Sequence, residues 1–255
     1  MTAGRGAGQI CPWDGGSIWI GRTTGVNDVH AHHAVQIAFA LEGSFRFQSP
    51  VDGVWLDCAG AVISSNHPHA FDGRNGAILA HLFVEPQSLP GRVLLQRYSA
   101  PNGICLLGGA LLERAAQHLA ARYRESRAPA ALVAAGQEVI RMLTDGVGVP
   151  EPADPRILRA LEYLRANLGG SVSLERVAAE VHLSPSRFRH LFVKEMGLAL
   201  RPYVLWLRVN RAVEAFVAGE SLTSAAYLAG FADSAHLSRS FRRMYGMAAA
   251  TLTLE

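Results

Sequence analysis

Two groups of side chains in this 255-residue sequence have the types and spacing for chemistry. The first lies in HAHHAVQ, where His30, His32 and Gln36 stand at i, i+2 and i+6. On a strand those positions share one face, so their nitrogens and amide could converge inside a β-domain. Imidazoles so gathered suit zinc, iron, nickel or copper, and they equally suit hydrogen bonding to a small molecule. The second group is cationic. His236, Arg239 and Arg243 fall at i, i+3 and i+7, with Ser234, Ser238 and Arg242 beside them, and Arg187, His190 and Lys194 make a similar row upstream, flanked by Ser186 and Arg189. On a helix each row occupies one face. Guanidinium forks can read guanine edges and the remaining cations can hold phosphates, chemistry that the major groove accepts from an inserted helix.

The elements that must carry these groups can be read from periodicity. From Ser17 to about Glu85, stretches rich in Ile, Val, Phe and Trp (SIWIGRTT, AVQIAFALEG, SFRFQ, VWLDCAG, AVISS, AILAHLFVE) alternate with Gly, Asp, Asn and Pro, which predicts short strands in an antiparallel barrel or jelly roll. Between about Ile104 and Thr144 the period becomes helical, through Leu107, Leu111, Leu112, Ala115, Leu119 and Tyr123, and then, after Pro129, through Leu132, Val133, Val139, Ile140 and Leu143. GVGVPEPADP, Gly146 to Pro155, has no apolar period and is the predicted linker. A helix should start behind it, with Asp154 as N-cap, Pro155 at the first helical position, and Ile157, Leu158, Leu161, Leu164 and Leu168 on one face. The domains expected are 1–145, a linker 146–155, and 156–255.

Composition narrows the class. The chain is 49% hydrophobic and 18% charged, as globular proteins are. Residues 1–150 balance 11 cations against 11 acids, whereas residues 151–255 carry 13 against 10, so the net charge of +3 resides in the C-terminal part. Three cysteines, Cys11, Cys58 and Cys105, are too far apart for a knuckle and odd in number, which predicts a reducing compartment. Neither a signal-like N-terminus nor a run of about 18 apolar residues is present, so a soluble cytoplasmic protein with no membrane partner is expected.

The C-terminal part repeats itself. Ser173, Leu174 and Ala178 recur 48 residues on as Ser221, Leu222 and Ala226, while Phe192 and Gly197 recur 49 residues on as Phe241 and Gly246. The added residue falls in a turn. Each copy reads as a short helix, a tight turn and a longer helix, with Gly230 ending one helix and Ser184 and Asp233 capping the next. Phe188, Leu191, Phe192 and Met196 in one copy, and Leu237, Phe241, Met244 and Tyr245 in the other, form the expected inward stripes.

SLERVAAEVHLSPSRFRHLF, RPYVLWLRVNRAVEAF and AGFADSAHLSRSFRRMYG, together nearly all of residues 156–246, resemble the AraC/XylS family of bacterial transcription regulators. The resemblance implies an α+β two-domain protein: a cupin-like antiparallel β-barrel with a helical hairpin for sensing and dimerisation, then an all-α double helix-turn-helix domain. Recognition helices at about 184–196 and 233–245 would enter successive major grooves of double-stranded DNA, bringing Ser186, Arg187, Arg189, His190, Lys194, Ser234, His236, Ser238, Arg239, Arg242 and Arg243 to it. The first recognition helix has His190 and Val193 where the family usually has a basic pair, and the second keeps that pair as Arg239 and Arg242, which makes the second the expected phosphate anchor. The family also implies a small-molecule effector, a homodimer, and RNA polymerase as partner if the protein activates. HAHHAVQIAFALEGSFRF and SSNHPHAF are similar to the sensor domain's usual front and turn. His30, His32 and Gln36 match the first metal motif of cupins, with His69 at the second motif's histidine, but sensors of this family commonly carry that pattern without metal. Accordingly His30, His32, Gln36 and His69 are assigned to an effector pocket, no cofactor and no catalytic residue is assigned, and His30, His32 and His69 stand as the candidates should a metal bind. Two alternatives remain open: a cupin-like metalloenzyme or metal sensor fused to a DNA-binding domain, and an interaction module that has lost DNA reading.

Overall fold

The computed structural model describes residues 4–254 except 52, 74, 75 and 149, with Leu252 described by its backbone alone. The chain forms two compact units, Met1–Pro150 with Arg242–Glu255, and Glu151–Phe241.

The first unit is built on strands β1 (Arg5–Trp13), β2 (Gly16–Thr24), β3 (Val26–His30), β4 (Val35–Glu42), β5 (Phe45–Gln48), β6 (Trp55–Cys58), β7 (Gly60–Ile63), β8 (His69–Asp72), β9 (Ile78–Val84), β10 (Ile104–Leu106) and β11 (Leu252–Leu254), with helices α1 (Leu89–Arg97), α2 (Gly109–Glu125) and α3 (Pro129–Thr144). The expected barrel is instead two sheets. One has seven strands in the order β10-β7-β4-β9-β2-β1-β11, the other four in the order β3-β8-β5-β6, and no ladder joins them among the described residues. All pairs are antiparallel except β1 with β11. Side-chain packing makes closure unnecessary. Phe45, Phe47 and Phe71 of the small sheet pack on Trp19, Ala38, Ala61, Ile63 and Leu79 of the large one. On the large sheet's other face, Ile18, Ile20, Ile37, Phe39 and Leu82 are covered by Leu94 of α1, Leu119 of α2, and Leu132, Val139 and Leu143 of α3. Covered on both faces, β4 is buried continuously from Val35 to Phe39 and, apart from Gln36, reads as an apolar run rather than an alternation.

Five strands and the helix α1 escape the periodicity. β1 is written RGAGQICPW, and its glycines are there because the two backbones approach closely: a Cβ on Gly8 would strike Ile20 O and Gly21 Cα of β2. β3, β8, β10 and β11 are three to five residues long, which leaves no period to read, and the equally short β5, β6 and β7 show only as Phe-, Trp- and Val-containing runs between turn residues.

The second unit holds α4 (Pro155–Ala166), α5 (Leu174–Glu180), α6 (Pro185–Met196), α7 (Leu200–Val217), α8 (Leu222–Leu228) and most of α9 (Ser234–Tyr245). α4 begins as expected, the Asp154 carboxylate accepting from Arg156 N at 2.9 Å. The Arg156 guanidinium, hydrogen-bonded to that carboxyl, helps hold it down at about 2. Its buried face is Ile157, Ala160, Leu161 and Leu164, continued by Leu168, and Leu158 is exposed because Ala160 takes the place in the stripe that it was expected to fill. At 18 residues α7 is about 27 Å long. It buries Tyr203, Val204, Trp206, Leu207, Val209 and Ala212, and Tyr203 meets Phe192 of α6 at 5.6 Å between ring centroids.

Candidate nucleic-acid interface and histidine cluster

The sequence repeat extends to individual backbone hydrogen bonds. In the α5–α6 turn His182 N donates to Ala179 O at 3.0 Å and Leu183 N to Ala178 O at 2.9 Å. In the α8–α9 turn Gly230 N donates to Tyr227 O and Phe231 N to Ala226 O at the same distances, 48 residues on. Both turns need a left-handed residue: Gly230 takes it freely at φ +81°, and His182 does so at φ +55°. Ala232 is the inserted residue, after which Ser184 and Asp233 cap their helices by accepting from Arg187 N and His236 N. Arg208 of α7 ties the two copies together, its guanidinium donating to Gly170 O at 3.1 Å before α5 and lying against Gly230.

The apolar stripes decide which faces turn outward. In α6, Phe188, Phe192 and Met196 are buried, which leaves Ser186, Arg187, Arg189, His190 and Lys194 exposed. In α9, Leu237, Ser240, Phe241 and Met244 are buried, and Arg239, Arg242 and Arg243 are exposed. Three expected members are less free than the row suggested. His236 is half-buried and sets its ring edge-on to Phe231 at 5.1 Å. Ser238 donates its hydroxyl to Ser234 O at 2.8 Å, a bond along the helix that competes with any base. Arg242, in the first unit, forms an ion pair with Asp28 at 2.7 Å. Tyr245, expected in the hairpin core, belongs to the first unit too: its ring lies 5.7 Å from Phe83 and 6.3 Å from His32.

The histidines do gather. His30 at the end of β3 and His69 at the start of β8 are cross-strand partners, and His32 follows on the loop into β4. Their ring centroids are 4.3 Å (His30 to His69), 5.2 Å (His32 to His69) and 6.0 Å (His30 to His32) apart. Gln36 stands between this group and His81, its amide 2.8 Å from His32 Nε2 and 2.8 Å from His81 Nδ1. Burial disfavours the charged form, so it lowers His30 to about 4 and His81 to about 3 and depresses His32 and His69 as well. His81 was missed in the sequence, where its only signal is a polar residue inside the apolar strand AILAHLFVE. His33, adjacent to His32, points away, pairing with Gln87 at 3.1 Å and Asn66 at 3.5 Å.

Two capped helix-turn-helix units, each with a cationic outer face and joined by a single long helix, are the architecture of a double helix-turn-helix DNA-binding domain. Residues 177–253 match the family model described as a helix-turn-helix domain. Over 97 residues the chain is 34% identical to the regulatory protein PocR of Salmonella typhimurium, covering 38% of this chain and 32% of that protein. Over 86 residues it is 31% identical to the probable transcriptional regulator LumQ of Photobacterium leiognathi, covering 33% of this chain and 35% of that protein. It thus spans about a third of the length of these curated relatives. The C-terminal part of the chain is a helix-turn-helix domain of the AraC type. As a whole the fold is that of ToxT from Vibrio cholerae: a crystal structure with bound (E)-4-(8-methylnaphthalen-1-yl)but-3-enoic acid superposes with a TM-score of 0.61 at 10% identity, over 92% of this chain and 97% of that one. Among the described residues no helix is long and apolar enough to cross a membrane.

Proposed function

We propose that the protein is a sequence-specific transcription regulator whose C-terminal domain binds double-stranded DNA and whose N-terminal domain senses a small molecule. The observation that carries the reading is the paired backbone geometry of the two turns, which gives α6 and α9 equivalent cationic outer faces. On this reading α6 and α9 enter successive major grooves, with Arg187, Arg189 and Lys194 contributed by the first and Arg239 and Arg243 by the second. Arg239 is the direct base reader. Arg242 is a phosphate contact that must first leave Asp28. No step of this function requires catalysis.

The sensing role is supported by a buried polar group within an otherwise apolar core, His30, His32, Gln36, His69 and His81, and by the fact that ToxT, of like fold, has been crystallised with an unsaturated fatty acid bound. Action in the cytoplasm as a homodimer, and contact with RNA polymerase where it activates, complete the proposal. Titrating the full chain against labelled DNA from upstream of its own gene, and against random duplex of equal length, tests it. The expected result is tighter binding to the upstream fragment, and equal affinity for both at matched salt would overturn it.

A further inference from the structure

His30, His32 and His69 each turn one ring nitrogen to a backbone carbonyl: His30 Nδ1 to Asp28 O at 2.8 Å, His32 Nδ1 to Ala34 O at 3.0 Å, and His69 Nδ1 to His67 O at 2.9 Å. A carbonyl oxygen only accepts, so Nδ1 carries the proton in each ring, which leaves Nε2 of His30 and of His69 with its lone pair, while Nε2 of His32 faces the Gln36 amide oxygen at 2.8 Å and can offer a lone pair to a metal only once that amide moves away. One ring nitrogen from each residue lies within 4.8 Å of the other two. All three residues are buried, and His69 Nε2 has no hydrogen-bond partner. Three buried ring nitrogens gathered by three separate carbonyl contacts, with that of His69 unanswered, are poor protein packing and a good ligand set.

We propose that His30, His32 and His69 form a binding site for one first-row transition-metal ion, held by Nε2 of each ring. The donor set selects the class of ion. Three imidazoles with no carboxylate among them suit zinc, nickel, copper or iron, and they exclude magnesium and calcium, which require oxygen ligands. Zinc–nitrogen bonds of about 2.0–2.1 Å put tetrahedral ligands about 3.4 Å apart, so a bound ion requires the three rings to draw closer together. His32 lies on a loop, and the β3–β8 register shifts between Asn27 and His30, so neither ring is held in a regular ladder. Gln36 is the neighbour that must answer, its amide either leaving His32 Nε2 or supplying its carbonyl oxygen as a fourth ligand. The proposal concerns binding alone and is independent of the DNA-reading role.

The test uses the full chain, expressed without a polyhistidine tag, stripped with chelator and titrated calorimetrically with zinc. Binding of one zinc per chain is expected, weakened at least 100-fold in His69→Gln and in His30→Gln but unchanged in His33→Gln, whose buried ring lies outside the group. Circular dichroism identifies a variant that has not folded, and the other then decides. X-ray absorption on the zinc-loaded wild type needs no variant and should count three imidazole ligands. The proposal is overturned by absence of stoichiometric zinc in the wild type, by equal zinc affinity in folded His69→Gln or His30→Gln, or by fewer than three imidazoles.

Discussion

Arg239→Ala separates reading from folding. The Arg239 side chain is exposed and makes no hydrogen bond or ion pair among the described residues. Its removal should therefore change the stability of the domain by no more than about 0.5 kcal/mol, the ordinary range for a surface substitution away from caps and cores. Binding should respond differently. A guanidinium bidentate to one guanine is worth about 1–3 kcal/mol of discrimination, which is roughly a 5- to 160-fold rise in Kd for the specific site. Fluorescence anisotropy at fixed salt, on the upstream fragment, on random duplex and on fragments with single base pairs exchanged, measures all three quantities. The specific site should lose most, and the preference at one base pair should relax. Equal losses on specific and random DNA would refute the assignment and make Arg239 a phosphate contact. A large loss of stability would refute the claim that its side chain stands free.

Arg242→Ala should weaken every DNA sequence alike and lower the salt slope by about one unit, as measured by titration across salt concentrations. Asp28→Asn, which releases Arg242 from an exposed ion pair of about 0.2–1 kcal/mol, should tighten binding by at most roughly fivefold, and weaker binding would count against competition between Asp28 and phosphate. Ser184→Ala removes the cap that accepts from Arg187 N and should cost about 0.5–2 kcal/mol in denaturant unfolding, whereas Phe192→Ala, at 1% exposure, should cost about 3–5 kcal/mol. Burial lowers His30 and His33 to about 4, against about 6.5 for a free imidazole, so their contribution to stability is full above 6.5 and is lost as pH falls towards 4. Thermal unfolding should show the midpoint dropping through that window, and His33→Gln should make the drop shallower.

The C-terminal domain was legible because its signals are local. A cap acts on an amide two or three residues away, and a helix stripe returns every third or fourth residue, so Asp154, Ser184 and Asp233 can be recognised from their own neighbourhoods. Leu158 shows the limit of that reading: Ala160 has the smaller side chain, yet it faces the core. In the N-terminal domain the four-residue β5, β6 and β7 were visible as apolar runs between turn residues, while the nine-residue β1 was not. Glycine-rich β1 carries no apolar period, and its pairing with β2 becomes clear only when the two backbones are side by side.

By itself, the sequence determined the repeat, its helix caps at Ser184 and Asp233, the cationic rows of α6 and α9, and the nearness in the chain of His30, His32 and Gln36, which the structure spreads over the end of β3, a loop and β4 rather than one strand face. Tertiary structure decided what distance in the chain conceals: that His69 pairs across a strand with His30, that His81 joins through Gln36, that Tyr245 lies beside Phe83 rather than in the hairpin core, and that two sheets pack without closing. Periodicity records which face of an element is apolar, but it holds no information about which distant element will cover that face. The partner is set by the packing of the whole unit, and with it which polar groups are left buried together.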